Sequence, residues 1–556
     1  MLLEKQTPIA KPNPPIWLKV LVICLIGIGI FFRFAHLGQK AIWYDEAFTL
    51  LAVSGHTVTE VQQEVLDEGV IPVAALDKYQ HINPDRGVSN TVRYLMTSDP
   101  QHPPLYYTVV RLWAQVFGDS TAGVRSLSAA IGLLIFPSVY WLCLELFESQ
   151  AVGWVAIALM AVSPLQIFLA QDARQYGLWM VTILVSSAAL LRTLRRETFW
   201  NWAIYGLTLA VGLYTHLLTA LVVMAHGIYV VSQQRFRFDK TLANYLLATL
   251  FGLFIFLPWI FVFISHISTA NQLTSHLSFY KLDNSLDLIA ILLTQISRIF
   301  FDVNFSSYTP LVNKEFWEIG HISYHTIAGI SSVILIVYIV YFFAYKQKIN
   351  KFSLFLILLG GVPSVCLLLP DLILGGIRST VFRYQLPLYL SIQIGVACVL
   401  AVYIFSEKHW QQKIWQCLMV GFLLAGLVSD VTLFKADTWW LQIGNQYSLA
   451  TARYINKFDN PLLVSSNHIY NIGSLLILNH LLNSNSNLLI VKDDRMPLLP
   501  QEVGDIFLFD SDMTKSQNLL ARFKEDKTYS LRLIDEPFTE LWQVEKIQKE
   551  YQKAEK

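Results

Sequence analysis

The chain has 556 residues, 54% of them hydrophobic and only 15% charged, with a formal net charge of +1. Soluble domains carry about 25% charged residues, so this composition excludes an ordinary soluble fold, and the near-neutral charge excludes nucleic acid as a partner. What remains is a multi-span membrane protein.

The first apolar stretch, 16–34, has no small-residue cleavage site after it and reads as a retained helix. About ten residues beyond it stands Trp43-Tyr44-Asp45-Glu46-Ala47-Phe48. Carboxylates at a membrane edge are costly to desolvate, which marks Asp45 and Glu46 as functional candidates. Trp43 and Tyr44 suit the headgroup level, where a ring buries its body and wets its tip. Further on comes Asp99-Pro100-Gln101-His102-Pro103-Pro104, a stiff approach with Pro104 in place to open a helix over 105–118. His102 is held at that corner, either to donate a hydrogen bond to a phosphate or sugar or to cap local backbone.

Apolar stretches of spanning length, about 17–25 residues, then recur. Spans are expected near 16–34, 123–147, 151–169, 176–192, 199–215, 217–232, 241–265, 322–345, 353–370, 384–405 and 413–434, eleven in all. The segment 105–118 is short and carries Arg111 in its middle. If it stays in the outer leaflet, the basic loops at Arg192/Arg195/Arg196, Arg235/Arg237/Lys240, Lys346/Lys348/Lys351 and Lys408/Lys413 all face the cytoplasm with the N-terminus. That is the positive-inside arrangement. Outside then lie the first loop (about 35–122), the turn 171–176, the loop 266–321, the turn 377–384, and everything after 434. The expected division is a catalytic membrane domain over 1–434 and an extracytoplasmic domain over 435–556. Cys24, Cys143, Cys366, Cys398 and Cys417 fall in apolar segments without pairing or metal-ligand spacing and read as small core residues.

The outer face therefore collects acids and arginines that are distant in sequence. Arg174, flanked by Asp172 and Tyr176, serves either as an ion-pair partner of Asp172 or as a cation for an anionic lipid headgroup. Arg298 sits in an interfacial helical pattern, and Arg378 and Arg383 bracket the turn before Tyr384. Arginine suits phosphate because its planar fork makes bidentate, charge-assisted hydrogen bonds. Asp45 and Glu46 are chemically able to hold a divalent cation, and His321 and His325 have i, i+4 spacing, but no third ligand stands near either pair and no HExxH occurs. A divalent cation is thus compatible with the sequence and not required by it, and no other cofactor is implied. No GxGxxG, Walker loop or nucleophile elbow occurs. A base and a phosphate-binding cluster at one face fit attack of an acceptor hydroxyl on a sugar carried by a polyprenyl phosphate, with inversion at the anomeric carbon.

These residues resemble a known family. Trp43-Tyr44-Asp45-Glu46-Ala47, His102-Pro103-Pro104-Leu105-Tyr106-Tyr107, Asp172-Ala173-Arg174-Gln175-Tyr176, Tyr214-Thr215-His216 and Arg383-Tyr384-Gln385-Leu386-Pro387 are similar, in that order, to signatures of the GT-C integral-membrane glycosyltransferases. The likeness is to the family 39-like group of protein O-mannosyltransferases and the lipid A aminoarabinose transferase, over roughly residues 16–400. It implies Asp45 as catalytic base with Glu46 supporting it, and a polyprenyl-phosphate sugar as donor. It also implies an active site facing away from the cytoplasm, in the plasma (inner) membrane. Arg174, Arg298, Arg378, Arg383 and His102 are its candidates for the donor phosphate and lipid. Tyr44, Asp172, Tyr176, His216 and Tyr384 are its pocket candidates. The acceptor is a lipid, a glycan or a protein.

The C-terminal region departs from the eukaryotic mannosyltransferases. It shows short apolar strands at 462–464, 488–491 and 506–509 with helical stretches between them, the pattern of a small α/β domain rather than a β-trefoil. The fold class expected is therefore mainly α, with a small α/β domain. Two other readings stand beside the transferase. A lipid-linked oligosaccharide ligase, polymerase or oligosaccharyltransferase is disfavoured in its Asn-glycosylating form, because Trp439-Trp440 is followed by Leu441 where a WWD motif needs Asp. A lipid or sugar flippase would show repeated halves and midplane polar groups. Here only His216 and His226 hint at such a path.

Overall fold

The computed structural model describes residues 13–67, 69–279, 284–303, 324–346, 350–439, 442–492, 496–497, 499, 504–509, 519–526, 528–534 and 541–546. The chain divides into two compact units, one formed by 1–37, 99–109 and 122–436 and the other by 38–98, 110–121 and 437–556.

The first unit is helical. Among the described residues, eight helices are long and apolar enough to cross a bilayer, or nine if the bent pair Gln150–Ala161 and Pro164–Gln171 is one span. The expected segments 199–215 and 217–232 form the helices Phe199–Thr215 (17 residues) and Thr219–Gln233 (15 residues), separated at His216. Leu105–Phe117 is a helix of 13 residues. At 1.5 Å per residue it reaches only about 20 Å, short of the roughly 30 Å hydrocarbon core. Tight helix crossings rest on small residues. Where Phe199–Thr215 meets Lys240–Ser265, a methyl placed on Gly206 would stand 2.6 Å from the Ala248 carbonyl oxygen.

The 61° bend between Gln150–Ala161 and Pro164–Gln171 organises this unit. Pro164 opens the second helix and supplies no N–H, so carbonyls at the end of the first lose their helical donors. Arg33, fully buried, donates to two of them, Ala161 O and Met160 O, each at 3.0 Å, and to Gly29 O at 2.9 Å. In hydrocarbon such carbonyls must be satisfied from within the protein. Ser163 in the break donates to Ile299 O (2.7 Å) and accepts from Gln393 (3.0 Å). Asp430, buried on His409–Lys435, lies within electrostatic reach of Arg33.

The second unit carries a six-stranded sheet, ordered β1 (Val70–Pro72), β3 (Asn487–Val491), β2 (Leu462–Ser466), β4 (Ile506–Phe509), β6 (Leu541–Lys546) and β5 (Tyr529–Leu533). The three strands expected from the sequence form its parallel centre, with Val464 beside Leu489 on one side and Leu508 on the other. β2 is buried along its whole length, as a central parallel strand with both faces covered must be. Leu462, Val464, Leu489, Leu508, Leu519, Phe523 and Val544 form a core on the sheet. β1 comes from far earlier in the chain and pairs antiparallel with β3, Val70 against Leu489.

Replacing Arg33 by Leu leaves the bend carbonyls without donors and Asp430 without its cation. Loss of one member of a buried charged set costs about 3 kcal/mol or more. The thermal midpoint in detergent is expected to drop strongly in Arg33→Leu and to recover in part in Arg33→Leu/Asp430→Asn. Strictly additive losses would show that the two side chains are not coupled.

Candidate functional site

The candidate residues fall into the two units, and each group is described by itself. In the first unit the turn 171–175 joins Pro164–Gln171 to Tyr176–Arg195. Gln171 anchors it by donating to Phe32 O (2.6 Å) and Ala35 O (3.0 Å), and Gln175 accepts from the Tyr107 hydroxyl at 2.9 Å. These bonds hold Arg174, which is 2% exposed, beside His102, with Nη2 3.1 Å from Nε2. A guanidinium can only donate, so Nε2 accepts and the ring proton sits on Nδ1. Nδ1 stands 2.7 Å from Asp99 Oδ1, whose carboxylate answers part of the charge. The His102 corner thus joins Asp99 to Arg174.

Aromatic rings complete this group. The Arg174 guanidinium lies 5.5 Å from the Tyr107 ring centre and 5.9 Å from that of Tyr176, and the Arg383 guanidinium lies 5.5 Å from Tyr176. Two cations share one ring, whose negative face offsets their repulsion. His216, in the break between helices, stacks on Trp179 at 4.2 Å and meets Tyr176 and Tyr384 at 5.9 and 6.1 Å. Burial, and then His102, Arg174 and Arg383 close by, hold the His216 imidazole well below its usual range. The structure therefore brings His102, Arg174, Tyr176, His216, Arg383 and Tyr384 together as an electropositive, ring-lined cluster. Asp172, also among the candidates, is buried in the same turn.

The other arginines differ in how they are engaged. Arg378 donates to Asp371 Oδ1 at 2.8 Å, while the Ser379 N–H reaches Asp371 Oδ2 at 2.6 Å, so it holds its own turn. Arg298, 9% exposed, faces Asp302 at 3.8 Å. Its Nε and Nη1 are buried without a hydrogen-bond partner among the described residues. Unsatisfied guanidinium donors of this kind are costly. His321 lies outside the described residues, and of His325 only the backbone is described, in Tyr324–Tyr341. Among the described residues no group of three His, Cys, Asp or Glu could hold a metal ion.

In the second unit, Tyr44–Ser54 is a helix whose first turn holds both acids, where the positive end of the helix dipole favours them. The Trp43 N–H donates to Glu46 Oε2 at 3.3 Å, and Glu46 is 2% exposed, whereas Asp45 is only half-buried. Tyr44 donates to Ile469 O (3.4 Å) and packs edge-on to Phe48. Burial, and then Tyr470 and Asp45 nearby, push the Tyr44 phenol well above its usual range. A methyl on Gly473 would stand 2.4 Å from Tyr44 Cε2, so the helix Ile469–Asn479 approaches this ring as only glycine permits. Sequence reasoning missed Tyr470 and Gly473. The signal available was a glycine early in an apolar helix directly after a strand.

Below about pH 6.5, the ordinary imidazole range, an unfolded His216 takes up a proton that the folded site resists. Stability is therefore lost as the pH falls. The thermal midpoint of the wild type is expected to fall more steeply between about pH 7.5 and pH 5 than that of His216→Gln. Parallel profiles would remove His216 from the acid sensitivity.

The family model for dolichyl-phosphate-mannose-protein mannosyltransferases matches residues 101–261, the stretch that holds His102, Arg174 and His216. No curated protein matches the chain. Among solved structures, ArnT from Cupriavidus metallidurans bound to undecaprenyl phosphate aligns with a TM-score of 0.53 at 12% identity, over 95% of this chain and 98% of that one. The same protein in its apo state aligns at 0.51 and 11% identity, over the same shares. At such identity the likeness is one of fold. The chain is a multi-pass membrane protein with the GT-C fold, and it resembles the family 39-like glycosyltransferases of that superfamily.

Proposed function

We propose that the chain is an inverting glycosyltransferase that moves a sugar from a polyprenyl-phosphate donor to an acceptor hydroxyl at the outer face of the plasma membrane. The N-terminus lies in the cytoplasm, as the basic loops favour. The observation that carries this reading is the cation cluster of buried Arg174 and half-buried Arg383 around Tyr176, with His102 beside Asp99. A membrane protein tolerates such a concentration of positive charge where an anion is to be bound. The family-model match, and the undecaprenyl phosphate held by ArnT, favour a polyprenyl phosphate as that anion.

In this mechanism the Asp45 carboxylate takes the proton of the acceptor hydroxyl as its oxygen attacks the anomeric carbon. The bond between that carbon and the phosphate oxygen breaks, and its electron pair leaves on the lipid phosphate. Arg174 and Arg383 stabilise the growing negative charge, His102 acts through its contact with Arg174, and Arg298 directs its unsatisfied donors to the same headgroup chemistry. One displacement inverts the anomeric centre and needs no covalent intermediate. Glu46 acts through position, because its bond to the Trp43 N–H fixes the turn that presents Asp45. Arg378 holds the turn that carries Arg383.

Radiolabelled transfer from a panel of polyprenyl-phosphate sugars by detergent-purified protein tests this reading. Asp45→Asn is expected to lower kcat at least about a hundredfold, the usual range for loss of a general base, while donor binding is kept. Transfer equal to wild type would remove Asp45 from the chemistry. Asp45-dependent movement of lipid across proteoliposomes without sugar transfer would establish the flippase instead.

Arg174→Ala should weaken donor binding about tenfold or more, as expected for lost charge-assisted hydrogen bonds. Arg174→Lys should recover only part of it, because a point charge cannot replace the planar fork. An unchanged donor Kd in Arg174→Ala would place the phosphate elsewhere.

A further inference from the structure

The turn that carries Arg383 has no long hydrogen-bond ladder of its own. It consists of two short 3₁₀ stretches, Arg378–Thr380 and Phe382–Gln385, before the helix Leu386–Tyr403 begins. Hydrogen bonds in such short turns are poorly aligned, so buried backbone groups there depend on side chains. Two glutamines take successive carbonyls. Gln385, fully buried, donates to Ser379 O at 3.0 Å and accepts from the Ser364 hydroxyl at 2.7 Å. Gln295 donates to Thr380 O at 2.6 Å and accepts from the Tyr389 hydroxyl at 2.8 Å.

The two glutamines differ in origin. Gln385 and Ser364 belong to the turn itself and to Lys351–Leu374, the helix before it. Gln295 comes from a separate helix, Ser285–Ser297, and stands three residues before Arg298 at the end of that helix. Its nitrogen is engaged by the turn and its oxygen by Leu386–Tyr403, through the buried Tyr389. An amide held at both ends cannot rotate away, so it fixes the position of Thr380 O. Arg383 follows Thr380 by three residues.

We infer that Gln295 is a positioning residue for the donor anion, which acts by clamping the Arg383 turn to the helix end that bears Arg298. The inference rests on the proposed role of Arg383 at the donor phosphate. A guanidinium recognises phosphate through a planar fork, and that fit depends on direction as well as charge. A turn free to shift would spread Arg383 over several orientations, and binding would have to restore the productive one. Gln295 removes that cost in advance without touching the donor. Tyr389 shares the task, because its hydroxyl keeps the Gln295 oxygen turned away from Thr380 O.

The test measures the Kd of radiolabelled undecaprenyl phosphate for the full-length protein in detergent, across a double-mutant cycle. Arg383→Ala is expected to raise Kd about tenfold, as for other lost charge-assisted hydrogen bonds. Gln295→Leu, which removes both amide bonds at similar volume, should raise it about fivefold in the wild-type background, within the usual range for a lost hydrogen bond. In the Arg383→Ala background it should change nothing further, because the group it positions is gone. A purely structural role would give the same loss in both backgrounds, and that result overturns the inference. The thermal midpoint separates lost binding from lost folding. Should Gln295→Leu melt early, Tyr389→Phe takes its place in the cycle, with an expected rise of about threefold that also vanishes beside Arg383→Ala. Wild-type Kd in both Gln295→Leu and Tyr389→Phe, while Arg383→Ala binds weakly, overturns the inference and leaves the donor site standing. Wild-type Kd in Arg383→Ala removes Arg383 from the anion site, and the inference falls with it.

Discussion

A guanidinium buried among apolar helices has to have its donors and its charge answered by nearby groups, and the first unit is arranged around that requirement. Arg33 is the deepest case. Its bonds to Met160 O and Ala161 O make the bend after Ala161 tolerable, and the bend sets the course of Pro164–Gln171. That helix ends at Gln171, which reaches back to Phe32 O and Ala35 O at the end of the helix that carries Arg33. The turn bearing Arg174 is therefore tied at both ends of Pro164–Gln171 to the first helix of the chain. In the reaction we propose, a cation with no place in the chemistry positions one that is central to it.

The two adjacent carboxylates show how one helix turn separates roles. Neighbours on a helix point about 100° apart, so Asp45 and Glu46 cannot share an environment. Glu46 turns inward and is held by the Trp43 N–H, while Asp45 keeps partial access to solvent. A carboxylate that closes a capping box has much of its acceptor capacity engaged. The half-buried neighbour is the better placed of the two to receive a proton.

Much of this fold was readable in the chain because a bilayer imposes length and composition on whatever spans it. Each apolar stretch expected as a span contains a helix, and the three expected strands form the centre of the sheet. Two features were less accessible. β1 is three residues long and contains Pro72, so no period-2 pattern could mark it, and its partner β3 lies more than four hundred residues away. The alliance of Asp99, His102 and Arg174 joins two motifs that were visible separately, but whose meeting depends on the course of intervening helices. Motifs show residue types, whereas distances between motifs come from packing.

The arginines make the same point from the other direction. In sequence, Arg298, Arg378 and Arg383 look alike, each near a turn between apolar segments. Packing separates them by what answers their donors. Arg378 is engaged with Asp371, whose carboxylate also takes the Ser379 N–H, so its charge is spent on the turn. Arg383 lies over the ring of Tyr176, 5.5 Å from its centre, which attracts a cation. Arg298 has a carboxylate at 3.8 Å and two buried nitrogens without hydrogen-bond partners among the described residues. A guanidinium whose fork is left open in a dry setting is suited to an acceptor that comes and goes. One whose fork is closed by its own chain is suited to holding that chain in place.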